Sequence, residues 1–232
     1  MSAIKKIKTK ASDMLVLAII AYLLTIILPM LGAMVNANSL TANIVVHVIS
    51  IAAWIVGSWA LTYTSKKECG FDVFSKEEKP SKLNWILVSA ATVVFLVYFL
   101  IIDNGYNYFV SMLKSLYTPL ISYRFFAAYV VNAVQAVVIT FIIAFAQKMG
   151  DIAFGHGKYI PYGGIFLGLC WAIANIVTSL SGISEGIMYL PDVLLYALVT
   201  MVYGIIFGVL HVLAGNKTRY ALPFIALAFI FM

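Results

Sequence analysis

Charge is what this sequence has least of. Asp, Glu, Lys and Arg make up 10% of its 232 residues, where a soluble domain carries about 25%. Together with 63% hydrophobic residues and a mean hydropathy of +1.02, this excludes an ordinary soluble domain and leaves a membrane protein. Cysteine is nearly missing as well. Cys69 falls in a polar loop and Cys170 in an apolar run, with no CxxC or Cys/His spacing, which speaks against a disulfide framework and a zinc site. The nine Asp and Glu residues all fall at run ends or in loops, so no intramembrane general base can be named. The three histidines, His47, His156 and His211, lie at three levels of the expected path through a bilayer and do not suggest a shared metal. The net charge of +6 is no nucleic-acid footprint, because the lysines cluster between apolar runs without a basic stripe interleaved with aromatics. No cofactor, internal repeat or low-complexity tract is suggested.

Apolar runs are what the sequence has in abundance. A spanning helix needs about 20 apolar residues, and seven candidates stand at 14–35, 43–64, 85–102, 125–147, 162–182, 192–213 and 221–232. The last is short. The first follows "KKIKTK", as a signal peptide would, but its apolar stretch exceeds the usual length of about 7–15 residues. With the N-terminus in the cytoplasm, 13 of the 15 Lys and Arg residues fall on the inner side, and only Lys114 and Arg124 fall outside. That asymmetry is a positive-inside signal and supports the number of internal spans. The expected fold is therefore all-α: a multi-pass transmembrane bundle of six to seven membrane helices with a cytoplasmic N-terminus. It reads as one structural unit, with three N-terminal spans and an outer interfacial segment over 1–124 and a core over 125–232.

The outer segment 103–124 is rich in Tyr and Phe and reads as an aromatic belt at headgroup level. The inner segment "SKKECGFDVFSKEEKPSK" reads as a solvated loop. Asp192, beside Pro191, is expected to cap the run that it opens.

Carboxamides inside the runs raise the functional question. Asn132 and Gln135 are three apart and share a helix face, as do Trp171 and Asn175, four apart. Counting along the helices, Asn175 lies roughly 10 Å and Gln135 roughly 16 Å below the outer surface, so a modest stagger lets the amides meet. His47, Ser50, Trp54 and Ser58 share a face of another run, with His47 near the outside. His47, Asn132, Gln135, Trp171 and Asn175 thus form a candidate polar intramembrane cluster, either a set of interhelical contacts or a pocket open to the outside. The pairs Gly164/Gly168 and Gly204/Gly208 permit close helix approach, within one chain or between two copies of a homo-oligomer.

The stretches "AYVVNAVQAVVITFIIAFAQKMGD", "KYIPYGGIFLGLCWAIANIVTSL" and "GIIFGVLHVLAGN", with Pro223 in the last run, resemble the membrane core of the CAAX-protease and bacteriocin-processing family over about the last 110 residues. That family carries an EExxxR motif, an FxxxH motif on the next helix, a GxxFGxLxxxxGN-type helix and a final His after a Pro. The scaffold spacing matches, and the chemistry does not. The glutamate positions fall on Gln135 and Ala136, no arginine follows, FxxxH becomes Trp171 and Asn175, and the last His position falls near Ala228. The resemblance implies a bacterial plasma-membrane protein whose family members include self-immunity proteins and regulators of other membrane proteins. The altered positions lack proton-transfer capacity and a good metal ligand, which implies a pseudoenzyme that binds or scaffolds a membrane protein or peptide. Two further functions are expected to compete with this one. The first is a protease or transferase using displaced residues around Asn132, Gln135, Asn175, His47 and Glu185. The second is a small-solute transporter, although the sequence lacks inverted repeats and paired broken helices.

Overall fold

A computed structural model of the chain describes residues 9–33, 40–75, 79–101, 119–155, 157, 159–184, 186 and 189–230, and of residues 27–33, 40, 119–128, 181, 182 and 184 the backbone alone. The described residues form seven helices and no strand: α1 (Ala11–Ala33), α2 (Leu40–Lys67), α3 (Lys82–Ile101), α4 (Pro119–Ala153), α5 (Tyr162–Ser184), α6 (Leu190–Leu213) and α7 (Thr218–Ile230). Five of them contain stretches long and apolar enough to cross a bilayer, and the apolar parts of α1 and α7 are shorter. Most of the tyrosine-rich outer segment, together with His156 and Glu185, lies outside the described residues.

The helix at the centre is α4. Every residue from 138 to 147 is buried, so this part of the helix has no face left for lipid. Its sequence, "VITFIIAFAQ", is apolar all round, as a central helix requires. It packs against α1, α2, α5, α6 and α7, while α3 sits outside, held to α6 and α7. Phe95 of α3 meets the rings of Tyr203 and Phe207, and Trp85 meets those of Tyr220 and Phe224.

The first helix belongs to this core. Met14, Leu17, Ala18 and Ala21 of α1 are buried. The Tyr22 hydroxyl donates to the Cys170 carbonyl at 2.7 Å, and the Trp54 indole N–H donates to the Leu24 carbonyl at 3.0 Å. Ser50 and Trp54 are buried, so the shared face read on α2 is indeed its inward one.

The closest approach is between α5 and α6. A Cβ on Gly164 would lie 2.6 Å from the Gly208 Cα and 2.7 Å from the Gly204 carbonyl oxygen, and Gly168 packs likewise on Met201 and Gly204. Without side chains the two backbones reach van der Waals contact, which drives helix association in lipid where the hydrophobic effect gives no help. Gly204 and Gly208 are therefore covered within the chain by Gly164 and Gly168 of α5, the intrachain one of the two arrangements that the sequence allows.

Two local expectations are also corrected. The segment after α2 is not simply a solvated loop. Gly70, at φ 66°, turns the chain so that the Phe71 N–H reaches the Ser65 carbonyl at 2.8 Å. Cys69 and Val73 are then buried, and Phe71 and Phe74 set their rings edge-on to Phe145 and Phe141 of α4. The apolar residues in "CGFDVF" win over the flanking charges because α4 offers them an aromatic seat. At α6 the N-cap is Tyr189, with no side-chain cap bond, and Asp192 sits in the first turn beyond Pro191. Its carboxylate complements the helix dipole rather than capping the helix.

Replacing Gly208 with Val should lower the unfolding free energy in detergent by about 3 kcal/mol, because the added atoms meet backbone that cannot move aside. Gly57→Ala meets only the tip of the Leu24 side chain and should cost less than about 1 kcal/mol. Denaturant titration of both variants in micelles checks the difference; similar losses would refute the packing account.

Candidate functional site

The polar positions inside the bundle sort into two groups at opposite ends of α4. In the half nearer its N-terminus, Asn132 and Gln135 are both half-buried. Gln135 does not meet Asn175. Instead the Asn175 amide donates to the Thr200 hydroxyl of α6 at 2.9 Å, and that hydroxyl donates to the Ala197 carbonyl at 2.9 Å. Asn175 is thus an α5–α6 tie. Asn132 and Gln135 make no hydrogen bond among the described residues. His47 is half-buried near the start of α2.

The other positions singled out by the family resemblance are apolar and packed. Ala136 and Ala228 are fully buried. The Trp171 ring stands edge-on to Phe207 at 5.9 Å between centroids and lies over Phe229 at 6.5 Å, while Phe207 and Phe229 also touch. The Phe207 and Phe229 rings fill the space beside Trp171. Among the described residues, no three His, Cys, Asp or Glu side chains come close enough together to hold a metal ion. Cys69 and Cys170 are free thiols.

The second group lies where α2, α4 and α6 end and α3, α5 and α7 begin. Gln147 is 2% exposed and is used on three sides. Its Nε2 donates to the Ile160 carbonyl at 3.0 Å and to Asp151 Oδ1 at 3.2 Å, and its Oε1 accepts from the Gly163 N–H at 3.2 Å. One carboxamide thus satisfies a free N–H in the first turn of α5 and a loop carbonyl, and pins the α4–α5 connection onto α4. Sequence reasoning missed this residue. The available signal was an amide at the very end of a run otherwise free of amides since Gln135.

Next to it, α6 ends in a Schellman motif. The Asn216 N–H bonds the His211 carbonyl at 3.0 Å and the Gly215 N–H bonds the Val212 carbonyl at 2.8 Å. Gly215 at φ 77° and Asn216 at φ 57° supply the left-handed conformations, which is why "GN" follows the helix. This turn brings Thr218, at the start of α7, back over His211, with Nε2 and Oγ1 at 3.4 Å. On the α3 side Ser81 caps the helix, accepting from the Asn84 N–H at 3.2 Å. Between these elements lies a cavity of about 710 Å³ whose wall includes Asn84, Gln147, Lys148, Asp151, His211 and Asn216.

No protein-family model, curated protein or solved structure matches the chain.

Two measurements test these assignments. A double-mutant cycle of Asn175→Leu and Thr200→Val should return a coupling of about 0.6–1.7 kcal/mol, as expected for an interhelical bond in a membrane bundle; a coupling of zero would mean that the amide acts elsewhere. Gln147→Leu should cost about 3 kcal/mol, since it orphans a buried N–H, and should expose the 154–161 connection to limited proteolysis.

Proposed function

We propose that this chain is a non-catalytic relative of the CAAX-protease and bacteriocin-processing proteins, acting in the plasma membrane of a bacterium by binding a membrane protein or peptide. One observation carries the reading. Asn132 and Gln135, on one face of α4 at membrane depth, have no hydrogen-bond partner among the described residues. A carboxamide in that setting gains by meeting a polar group on another chain, since lipid offers none.

The state of the motif positions supports the absence of hydrolysis. Where the family resemblance calls for acids, a histidine and water, the chain has Gln135, Ala136, Trp171, Asn175 and Ala228. Trp171 is packed against Phe207 and Phe229, and Asn175 is committed to Thr200. A carboxamide carries no exchangeable charge near neutral pH and cannot serve as a general base. Six or seven spans with a cytoplasmic N-terminus are part of the same reading. Apart from Arg124, the described Lys and Arg residues belong to the end of the bundle where α1, α3, α5 and α7 begin, which agrees with the positive-inside rule for a cytoplasmic face.

The test combines chemistry and contact. The purified chain, given membrane peptides, should show no cleavage; turnover that disappears in Gln135→Ala or Asn175→Ala would refute the reading. A photo-crosslinker placed at Val131, beside the amide face, should trap one membrane protein or peptide, and Gln135→Leu should reduce that product about tenfold, the loss expected for about 1.4 kcal/mol. A product unchanged by Gln135→Leu and Asn132→Leu together would remove the amides from the interface.

A further inference from the structure

The cavity between α3, α4, α6 and α7 is about 20 Å along α4 from the amide pair, and no part of the proposed function uses it. Its volume of about 710 Å³ falls within the roughly 300–1,000 Å³ of small-molecule sites. Two of its wall groups hold hydrogen-bonding capacity that the protein leaves unspent.

The first is Lys148. Its ammonium is 5.8 Å from the Phe71 ring centroid, and among the described residues no carboxylate pairs with it. The second is His211. The residue is 2% exposed, yet its Nδ1 has no hydrogen-bond partner. The 3.4 Å contact between Nε2 and the Thr218 hydroxyl runs in either direction, so Nδ1 is a donor or an acceptor according to where the ring proton stands. Around them, Asn84 and Asn216 contribute amides, and the starts of α3 and α7 as well as the C-terminal ends of α4 and α6 border the same space. Among the described residues Asp151 is the only carboxylate in the wall, and Gln147 donates to it.

From these observations we propose that the cavity is an anion site that takes a phosphate group, carried by a lipid headgroup or by a free phosphorylated solute. Polar groups arrive from α3, α4 and the α6–α7 turn, which suits a tetrahedral group with several acceptor oxygens better than a planar carboxylate. The Lys148 ammonium supplies the charge. The surrounding end of the bundle, with Lys66, Lys67, Lys79, Lys82, Lys217 and Arg219, raises the local concentration of any anion. The carboxylate of Asp151 opposes a dianion, so the affinity is modest and a monoanionic phosphodiester is accepted.

The experiment uses the full chain in neutral-lipid nanodiscs and reads the thermal unfolding midpoint. In one arm inorganic phosphate or glycerol 3-phosphate is titrated. In the other, phosphatidylglycerol replaces phosphatidylcholine stepwise. A saturable rise in midpoint is expected in at least one arm, and the responding arm identifies the source. Lys148→Gln should weaken that response about tenfold, and Lys148→Arg should keep it. Lys67→Gln, whose ammonium meets Tyr63 on the exposed side of α2, should leave it unchanged. No saturable response in either arm, an undiminished response in Lys148→Gln, or an equal loss in Lys67→Gln would overturn the proposal. Failure here leaves the partner reading untouched, because that reading concerns the other end of α4.

Discussion

Ten successive residues of α4 have no exit to lipid or water, and the rest of the bundle is arranged to meet that condition. A helix apolar on every side can be placed only where neighbours surround it. The polar atoms it carries must be satisfied locally, as lipid satisfies none. Thr140 returns its hydroxyl to the Ala136 carbonyl at 2.7 Å. Gln147 ends the stretch and spends its amide on the connection to α5. From that pinned connection α5 sets off against α4 at a spacing fixed by Gly163, which faces the Ile143 backbone. The glycines on its other side then admit α6. The position of α6 therefore follows from α4 through two successive close contacts, and the Schellman turn carries the same geometry on to α7.

The polar groups obey this order. In the half nearer the C-terminus of α4 several of them tie elements together: Gln147 three ways, the backbone at the end of α6 twice, Ser81 at the start of α3. In the half nearer the N-terminus of α4, Asn175 is tied to Thr200, whereas Asn132 and Gln135 remain on a half-buried face. Burying an amide without a partner costs about 1–3 kcal/mol. A bundle selected for stability alone would carry an aliphatic residue at both positions. Their presence is better explained by a partner that completes them.

Much of the architecture was legible in the sequence, and the reasons are physical. Runs of about 20 apolar residues encode helices in lipid directly, so the seven helices of the described residues stand where the runs are. The long-range pairing was not encoded. Gln135 and Asn175 looked matched in depth, but depth does not fix rotation, and α5 turns Asn175 toward Thr200. The glycine pairs announced close packing without naming the helix that packs. Gln147 was hidden because its partners are backbone atoms of Ile160 and Gly163, which carry no residue-type signal. The folding of Phe71 and Phe74 onto α4 was masked by neighbouring charges, Lys66 and Asp72, which pair with each other at 2.7 Å and leave the aromatics free to turn inward.

His211 poses the sharpest energetic question in the molecule. An imidazole at the end of α6 could have been an aliphatic residue, since its ring is surrounded by the same packed core that holds Leu210 and Val212. Its Nε2 contact to Thr218 is long, at 3.4 Å, and too weak by itself to offset the desolvation of two ring nitrogens. A buried nitrogen with no partner persists where something outside the chain supplies one, or where a reaction uses it. No carboxylate is close enough to His211 for an ion pair, and no cluster of metal-binding side chains includes it among the described residues. What does adjoin it is the cavity proposed to take a phosphate group, with Lys148, which no carboxylate meets among the described residues, in the same wall. The histidine therefore belongs to the one part of the bundle where polar groups gather around open space rather than around each other.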